Sequence, residues 1–333
     1  MKSKKKILIL GGSGFIGCNL RKFFSNKNID TFNIDLISKI STPDKYLDFA
    51  VTNKTLKKNL AIFNLTNYIN LISPNYIINL AANSHVDRSI DTPKKIIKNN
   101  LNIVINILEA LRNTKKKINF IHISTDEVFG SIKKKSTNEK DYLNPSSPYS
   151  SSKAAADLII ESYIKTYKLP CSILRLSNNY GPFQNPEKFI PNSIFHLIMN
   201  KKIPIYGNGK HIREWTYVED TCEAIYKFII NFKPFKTYNI GSSINMNNKS
   251  IAMLIIKKMK KKLVSSYKFV FDRPGHDFRY SLNSKKFRND YKWKPRFNIK
   301  DGLNKTLKWY SINNKWNDYF LKKITFKRLG KIK

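Results

Sequence analysis

The chain is 333 residues long and 41% hydrophobic, enough to bury a large core as one two-lobed unit or two domains. Lys and Arg number 61 against 23 acidic residues, a formal net charge of +38. The cations fall in short runs, at 4–6, 115–117, 133–135 and 257–262, with no groove-reading motif or aromatic-interleaved basic stripe, which argues against nucleic acid as the partner.

Such a field still attracts a ligand carrying phosphates. Three cysteines, Cys18, Cys171 and Cys222, lie far apart and read as reduced thiols, which fits a cytoplasmic protein. No histidine has a Cys or carboxylate partner at metal-ligand spacing, so no metal is expected. No apolar run approaches the roughly 18 residues needed to span a membrane. At the N-terminus, glycines interrupt Ile7–Leu10 well short of the apolar run of about 7–15 residues that an export signal requires, so this segment is read as a strand.

Buried strands are expected at Ile7–Leu10, Thr31–Ile34, Leu60–Phe63, Tyr76–Leu80, Ile118–Ile123 and Cys171–Leu176, with helices such as Thr92–Arg112 and Tyr149–Tyr167 between them. Short apolar strands bridged by helices imply a doubly wound α/β fold, a parallel Rossmann-type sheet covered on both faces. After Tyr180, Pro182, Pro186, Pro191, Pro204 and the Gly207-Asn208-Gly209 turn break the pattern. A smaller, irregular α/β lobe over the sheet's carboxyl edge is expected there. Thr237–Ile240 reads as a strand that rejoins the main sheet. The division expected is 1–180 for the cofactor, with 210–245 rejoining it in part, 181–320 mainly for substrate, and 321–333 as a basic tail.

Directly after the first strand, Gly11-Gly12-Ser13-Gly14-Phe15-Ile16-Gly17 opens a helix. Glycines serve where backbone must approach a pyrophosphate seated on the helix N-terminus. Asp35, at the end of the second strand, stands where a carboxylate accepts from an adenosine ribose and repels a 2′-phosphate, which favours NAD over NADP. A turn residue closing a strand would look the same, and the glycines upstream decide for the cofactor.

Tyr149 and Lys153 lie one helical turn apart behind Pro148, so both project from one face. A lysine beside a tyrosine favours the phenolate and makes the phenol a usable base for an alcohol proton. Thr125, Asp126 and Glu127 follow the fifth strand and bring an acid and a base to the same place. That pairing suits loss of water as well as hydride transfer.

The order Gly-Gly-x-Gly-Phe-Ile-Gly, Ser-Thr-Asp-Glu-Val-Phe-Gly and Pro-Tyr-x-x-x-Lys resembles the extended short-chain dehydrogenase/reductase family, specifically its nucleotide-sugar 4,6-dehydratases. Further matches are the segments 81–89, 175–182, 188–191, 213–220 and 272–277, so the likeness runs from about Ile7 to Trp309. The resemblance implies a hydro-lyase acting on a nucleotide-activated glucose, with dTDP as the expected carrier. In that chemistry Tyr149, with Lys153 and Thr125, takes the C4 hydroxyl proton while hydride passes to NAD⁺. Glu127 removes the C5 proton, Asp126 protonates the departing C6 hydroxyl, and hydride returns to C6.

The same resemblance assigns Gly11, Gly14, Phe15, Ile16, Gly17, Asp35, Asn64, Leu65, Leu80, Ala81, Ala82, Asn99 and Asn179 to the cofactor. It assigns Ser84, Asn178, Lys188, Phe189, Arg213, Asn239, Asp272 and His276 to the substrate, with Pro204, Ile205 and Tyr206 bordering the base. Arg213 and Lys188 suit a diphosphate by charge and geometry; the alternatives are turn residues for Asn178 and Asn239 and a surface cation for Arg213, and the surrounding match decides against them. The chain departs from the family in Asn64-Leu65 for Asp-Ile, Asn99 for threonine and Asn83 for glutamate. A homodimer is expected through a four-helix bundle built on Thr92–Arg112 and Tyr149–Tyr167. A 4-epimerase or decarboxylase of the same fold stays open, as does a non-catalytic polyanion binder.

Overall fold

The computed structural model describes residues 5–51, 53–133 and 135–323. The first half runs β1 (Lys6–Leu10), α1 (Phe15–Ser25), β2 (Asp30–Asp35), β3 (Leu56–Lys57), α2 (Leu65–Ile72), β4 (Tyr76–Asn79), α3 (Val86–Asp91), α4 (Pro93–Arg112), β5 (Asn119–Thr125), α5 (Pro148–Tyr167) and β6 (Cys171–Leu176). The second half runs β7 (Asn178–Tyr180), α6 (Phe189–Ile198), β8 (Ile203–Tyr206), β9 (Ile212–Tyr217), α7 (Val218–Ile230), β10 (Thr237–Ile240), β11 (Asn245–Asn247), α8 (Asn248–Lys258), β12 (Tyr267–Val270), α9 (Lys285–Tyr291), α10 (Ile299–Ile312) and α11 (Asn314–Leu321).

Seven strands form one parallel sheet in the order β10-β6-β5-β4-β1-β2-β3. Successive residues of β1 serve opposite faces because strand side chains alternate. Ile7 and Ile9 pack with Leu20 and Phe24 of α1 and with Ile225 and Phe228 of α7. Leu8 and Leu10 pack with Ile107 and Leu108 of α4 and Ile160 of α5. Strand order reverses at β1, and that reversal opens a crevice at the carboxyl ends of β1 and β4.

Leu60–Phe63 is not a strand. Its amides fold back on the Asn59 carbonyl, Phe63 N at 2.9 Å, and Ile62 is 81% exposed, so the apolar run does not mark burial. The third strand is Leu56–Lys57, too short to leave a periodic signal. Beyond β6 a three-stranded sheet, β11-β9-β7, and the β12-β8 pair build the second lobe. Its core holds Tyr180, Phe195, Trp215, Ile251, Trp309 and Trp316. Because β7 starts two residues after β6 ends, this lobe grows directly from the sheet's carboxyl edge. Most of the expected basic tail lies outside the described residues.

Candidate active site

The crevice is a cleft of about 610 Å³, within the usual range for small-molecule sites. Its floor is the glycine turn. Gly11 takes φ +83°, and a Cβ there would stand 2.6 Å from the Ala81 amide nitrogen. A Cβ on Gly17 would stand 2.5 Å from Gly12 Cα and 2.6 Å from the Gly11 carbonyl oxygen, so the helix packs on the turn only because that position is bare. Gly14 caps α1 with no side-chain hydrogen bond, which leaves the first-turn amides to a ligand. Asp35 closes β2 and accepts from Ser13 N at 3.0 Å, Ile37 N at 2.9 Å and Ser41 Oγ at 3.1 Å. Burial raises its pKa against those hydrogen bonds.

Gly11, Gly14, Phe15, Ile16, Gly17, Asp35, Leu80, Ala81, Ala82, Asn99 and Asn179 all line the cleft, and Ser84, Asn178 and Lys188 line it beside them. This donor set, with a Cβ-free cradle below and a carboxylate at the end of β2, fits a dinucleotide. Asn64 and Leu65 do not line it. Asn64 caps α2 by accepting from Asn67 N, and Leu65 is buried in the core. Asn59 and Leu60 stand at that wall instead, because β3 ends at Lys57, six residues before the end of the strand inferred from the apolar run.

The chemistry gathers where β5 ends. Thr125 Oγ1 donates to Asp126 Oδ1 at 3.1 Å and accepts from Glu127 N at 3.3 Å, which fixes a 3₁₀ turn over Asp126–Phe129. Asn178 Nδ2 donates to Asp126 Oδ2 at 3.3 Å. Burial first, then the charges of Glu127 and Glu214, push Asp126 well above the ordinary carboxyl range. Burial also raises Glu127, but Arg273, Lys188 and Arg213 pull it back. Both neighbouring carboxyls are raised, Asp126 further than Glu127, so Asp126 is the one that keeps its proton to higher pH.

α5 opens with a Ser147–Ser150 capping box and Pro148, which sets Tyr149 and Lys153 on its buried face. Ser89 Oγ accepts from Tyr149 N at 3.2 Å and ties that end to α3. Burial, then Glu127 and Asp126, push Tyr149 above its ordinary value, and the Thr125 hydroxyl opposes them. Lys153 Nζ donates to the Ile123 carbonyl at 2.7 Å and lies 2.9 Å from His122 Nε2.

The remaining residues assigned to substrate lie beyond the cleft lining. Phe189 opens α6 and packs near Trp215. Arg213 is buried over the Tyr280 ring at 4.3 Å and donates to the Asp277 carbonyl at 2.9 Å, while its charge acts on both Asp126 and Glu127. Pro204 and Tyr206 lie on β8, where Tyr206 donates to Asp87 Oδ2 at 2.7 Å. Ile205, between them, is fully buried core and cannot touch a base. Asn239 cannot reach a substrate either. It is fully buried in β10, with Nδ2 donating to the Thr137 carbonyl at 2.9 Å and its backbone N to Glu139 Oε1 at 3.0 Å.

Asp272 and His276 come together with His211, which sequence spacing could not show. His276 Nδ1 lies 2.6 Å from one Asp272 oxygen and His211 Nε2 3.2 Å from the other, and the imidazoles stack at 3.7 Å and 14°. Rings so nearly parallel cannot both aim a lone pair in-plane at one ion. Sequence reasoning also passed over Arg273, which pairs with Asp87 at 2.9 Å and supplies the strongest cationic pull on Glu127. Only its place inside the matched segment 272–277 could have pointed to it.

A family model described as GDP-mannose 4,6 dehydratase matches residues 8–306. The chain is 35% identical to dTDP-glucose 4,6-dehydratase 1 of Escherichia coli K12 over 341 residues, 94% of each protein. It is equally similar, at 35%, to dTDP-glucose 4,6-dehydratase of Haemophilus influenzae, over 92% of this chain and 98% of that one. Among solved structures, DesIV of Streptomyces venezuelae, a dTDP-glucose 4,6-dehydratase with NAD and TYD bound, superposes with a TM-score of 0.87 at 31% identity, covering 93% of this chain and 98% of that one. A UDP-glucose 4-epimerase of Thermus thermophilus, 21% identical with a TM-score of 0.84 over 92% and 99% of the chains, shares the fold.

Proposed function

Since the chain belongs to the nucleotide-sugar 4,6-dehydratase family, we propose that it is an NAD-dependent hydro-lyase converting a nucleotide-activated glucose, dTDP-glucose first, to the 4-keto-6-deoxy sugar. The observation that carries this reading is the adjacent pair Asp126 and Glu127, of which Asp126 is raised further, beside Tyr149 and Lys153. A 4-epimerase has no step that uses such a pair.

NAD, held by the glycine turn and Asp35, supplies the hydride acceptor at C4 and the donor at C6. Tyr149 takes the C4 hydroxyl proton while the Thr125 hydroxyl orients that oxygen. The 4-ketone acidifies C5, Glu127 removes the C5 proton, and Asp126 protonates the C6 hydroxyl as it leaves. Lys188, Arg213 and Arg273 offer the positive charge a diphosphate needs. Residues 1–180, joined in part by 210–245, carry the cofactor in this reading, and 181–320 mainly the sugar nucleotide.

The working form is a homodimer in which α4 and α5 meet their counterparts as a four-helix bundle. Ile105, Leu158 and Tyr167 on these helices are 39%, 57% and 47% exposed, apolar surface that a second copy would cover. We place the work in the cytoplasm, supported by three free, buried cysteines. Among the described residues no helix is long and apolar enough to cross a membrane. Product identification by NMR with dTDP-, UDP-, GDP- and CDP-glucose tests the reading. A 4-keto-6-deoxy product forming fastest from the dTDP sugar supports it, and galactose formation or no turnover refutes it.

A further inference from the structure

We propose that Asp87 is a positioning residue that holds the Arg273 guanidinium off Glu127, so that the base stands among cations without being paired to one. Three cations act on Glu127, and each is engaged by another acceptor. Lys188 Nζ donates to the Ser84 carbonyl at 2.7 Å. Arg213 donates to the carbonyls of Ile212 at 2.8 Å and Asp277 at 2.9 Å. Arg273 Nη1 donates to Asp87 Oδ1 at 2.9 Å. Among the described residues none of the three forms an ion pair with Glu127. A carboxylate bound to a guanidinium is a poor base, because an incoming proton must displace a charge-assisted contact.

Of these anchors only Asp87 is a side chain and only Asp87 carries charge. It lies on α3 in the first lobe and is 5% exposed. Its other oxygen accepts from the Tyr206 hydroxyl at 2.7 Å, so the carboxylate is fixed from both β8 and the segment after β12. Burial works against its charge, yet Arg273 first and the Tyr206 hydroxyl with it hold Asp87 below the ordinary carboxyl range. Arg273 feels two carboxylates, Asp87 more strongly and Glu127 next. Its Nε is buried without an acceptor, so the guanidinium has a donor to spare. Once Asp87 loses its charge, Glu127 becomes the leading anion for that donor.

The other titratable groups facing Glu127 are Asp126 on its own turn, Tyr149 on α5, and Asp277 and Tyr280 beyond Arg273. None of these is a cation, so none can replace Arg273 on the carboxylate. Around Asp87 stand His85, Tyr206, Arg273 and Lys188. Burial and the Lys188 charge bring His85 down to about 4, so it is neutral near pH 7 and does not compete with Arg273. The placement of Arg273 stands on hydrogen-bond geometry, whatever the substrate. Its consequence for catalysis, a base left free to take the C5 proton, rests on the dehydratase reading.

The test is a ¹³C NMR titration of the Glu127 carboxyl in the full-length protein with its cofactor bound, labelled at glutamate Cδ and assigned by loss of the signal in Glu127→Gln. Asp87→Asn should lower the Glu127 midpoint by about 1 unit or more, because a cation brought into contact favours the ionised form. Loss of the Asp87 charge alone also lowers it, so the substitution is repeated in an Arg273→Met background, where the shift should be clearly smaller. Equal shifts in the two backgrounds make Asp87 a distant charge and overturn the proposal, as does a midpoint that rises or stays put. If Asp87→Asn does not fold, a crystal structure of the parent with its cofactor decides. Arg273 on Asp87 and clear of Glu127 upholds the proposal, and Arg273 paired with Glu127 overturns it. The titration needs no sugar, so it decides the placement of Arg273 even if dTDP-glucose gives no product, an outcome that would refute the dehydratase reading alone.

Discussion

Asp126→Asn should lose activity and gain stability, in a pH-dependent way that only the proposed electrostatics produce. The proton donor for the C6 hydroxyl disappears, and loss of a general acid lowers kcat by about 10²–10⁴-fold, or about 3–5 kcal/mol of barrier. For stability, the Asp126 pKa is raised on folding by burial, Glu127 and Glu214. A raised carboxyl leaves the fold fully stable below its unfolded pKa of about 3.9, and stability falls as pH climbs from there to the folded pKa. Each unit of elevation costs about 1.4 kcal/mol. Asparagine does not titrate, so the variant escapes that loss. Against it stands the Asn178 Nδ2 donor, now opposite an amide, a penalty of about 1 kcal/mol that does not vary with pH. Melting by circular dichroism should therefore show a variant-minus-parent difference in Tm that grows from pH 4 to pH 8, by about 2–4 °C for each kcal/mol. A difference flat or shrinking with pH, or a kcat within about tenfold of the parent, refutes the assignment of Asp126 as the buried acid.

Other substitutions probe separate parts of the site. Gly17→Ala puts a methyl 2.5 Å from Gly12 Cα, backbone that cannot rotate away, so cofactor affinity should fall by at least about tenfold and Tm should drop, checked by fluorescence titration and calorimetry. Lys188→Met removes one of three cations that hold Glu127 down, so the acid limb of the kcat profile should move to higher pH, because Glu127 must be ionised to act. An unmoved limb would show that Glu127 is not the base that limb reports. Leu158→Lys places a charge in the expected bundle seam, and light scattering should then give the mass of one chain where the parent gives two.

The fold was legible wherever burial wrote a run of apolar residues, as in β1, β4 and β6, and wherever glycine marked a close approach, as at Gly11 and Gly17. It was not legible at Leu56–Lys57, a two-residue strand in which pairing with β2, not hydrophobicity, sets the position. The apolar Leu60–Phe63 run next to it drew the strand forward and carried the expected cleft wall from Asn59-Leu60 to Asn64-Leu65. The five proposed catalytic side chains were readable because they fall within two short segments that meet at the cleft. The second lobe was harder, since Arg213 and Arg273 act on Glu127 through folding of segments far apart in sequence. Asn239 shows the opposite error, a polar residue in a matching segment whose amide and side chain are engaged by the loop residues Glu139 and Thr137. No motif announced the Asp87–Arg273 pair, because its two residues stand 186 positions apart and meet only when the second lobe folds against α3.

The central claim is that hydride leaving C4 returns to C6 of the same sugar, with water lost between. Turnover of dTDP-glucose carrying deuterium at C4, followed by NMR and mass analysis of the product, tests it directly. The account predicts a 4-keto-6-deoxy sugar with the deuterium in its C6 methyl group. Deuterium still at C4, or a product that has lost no water, would contradict it.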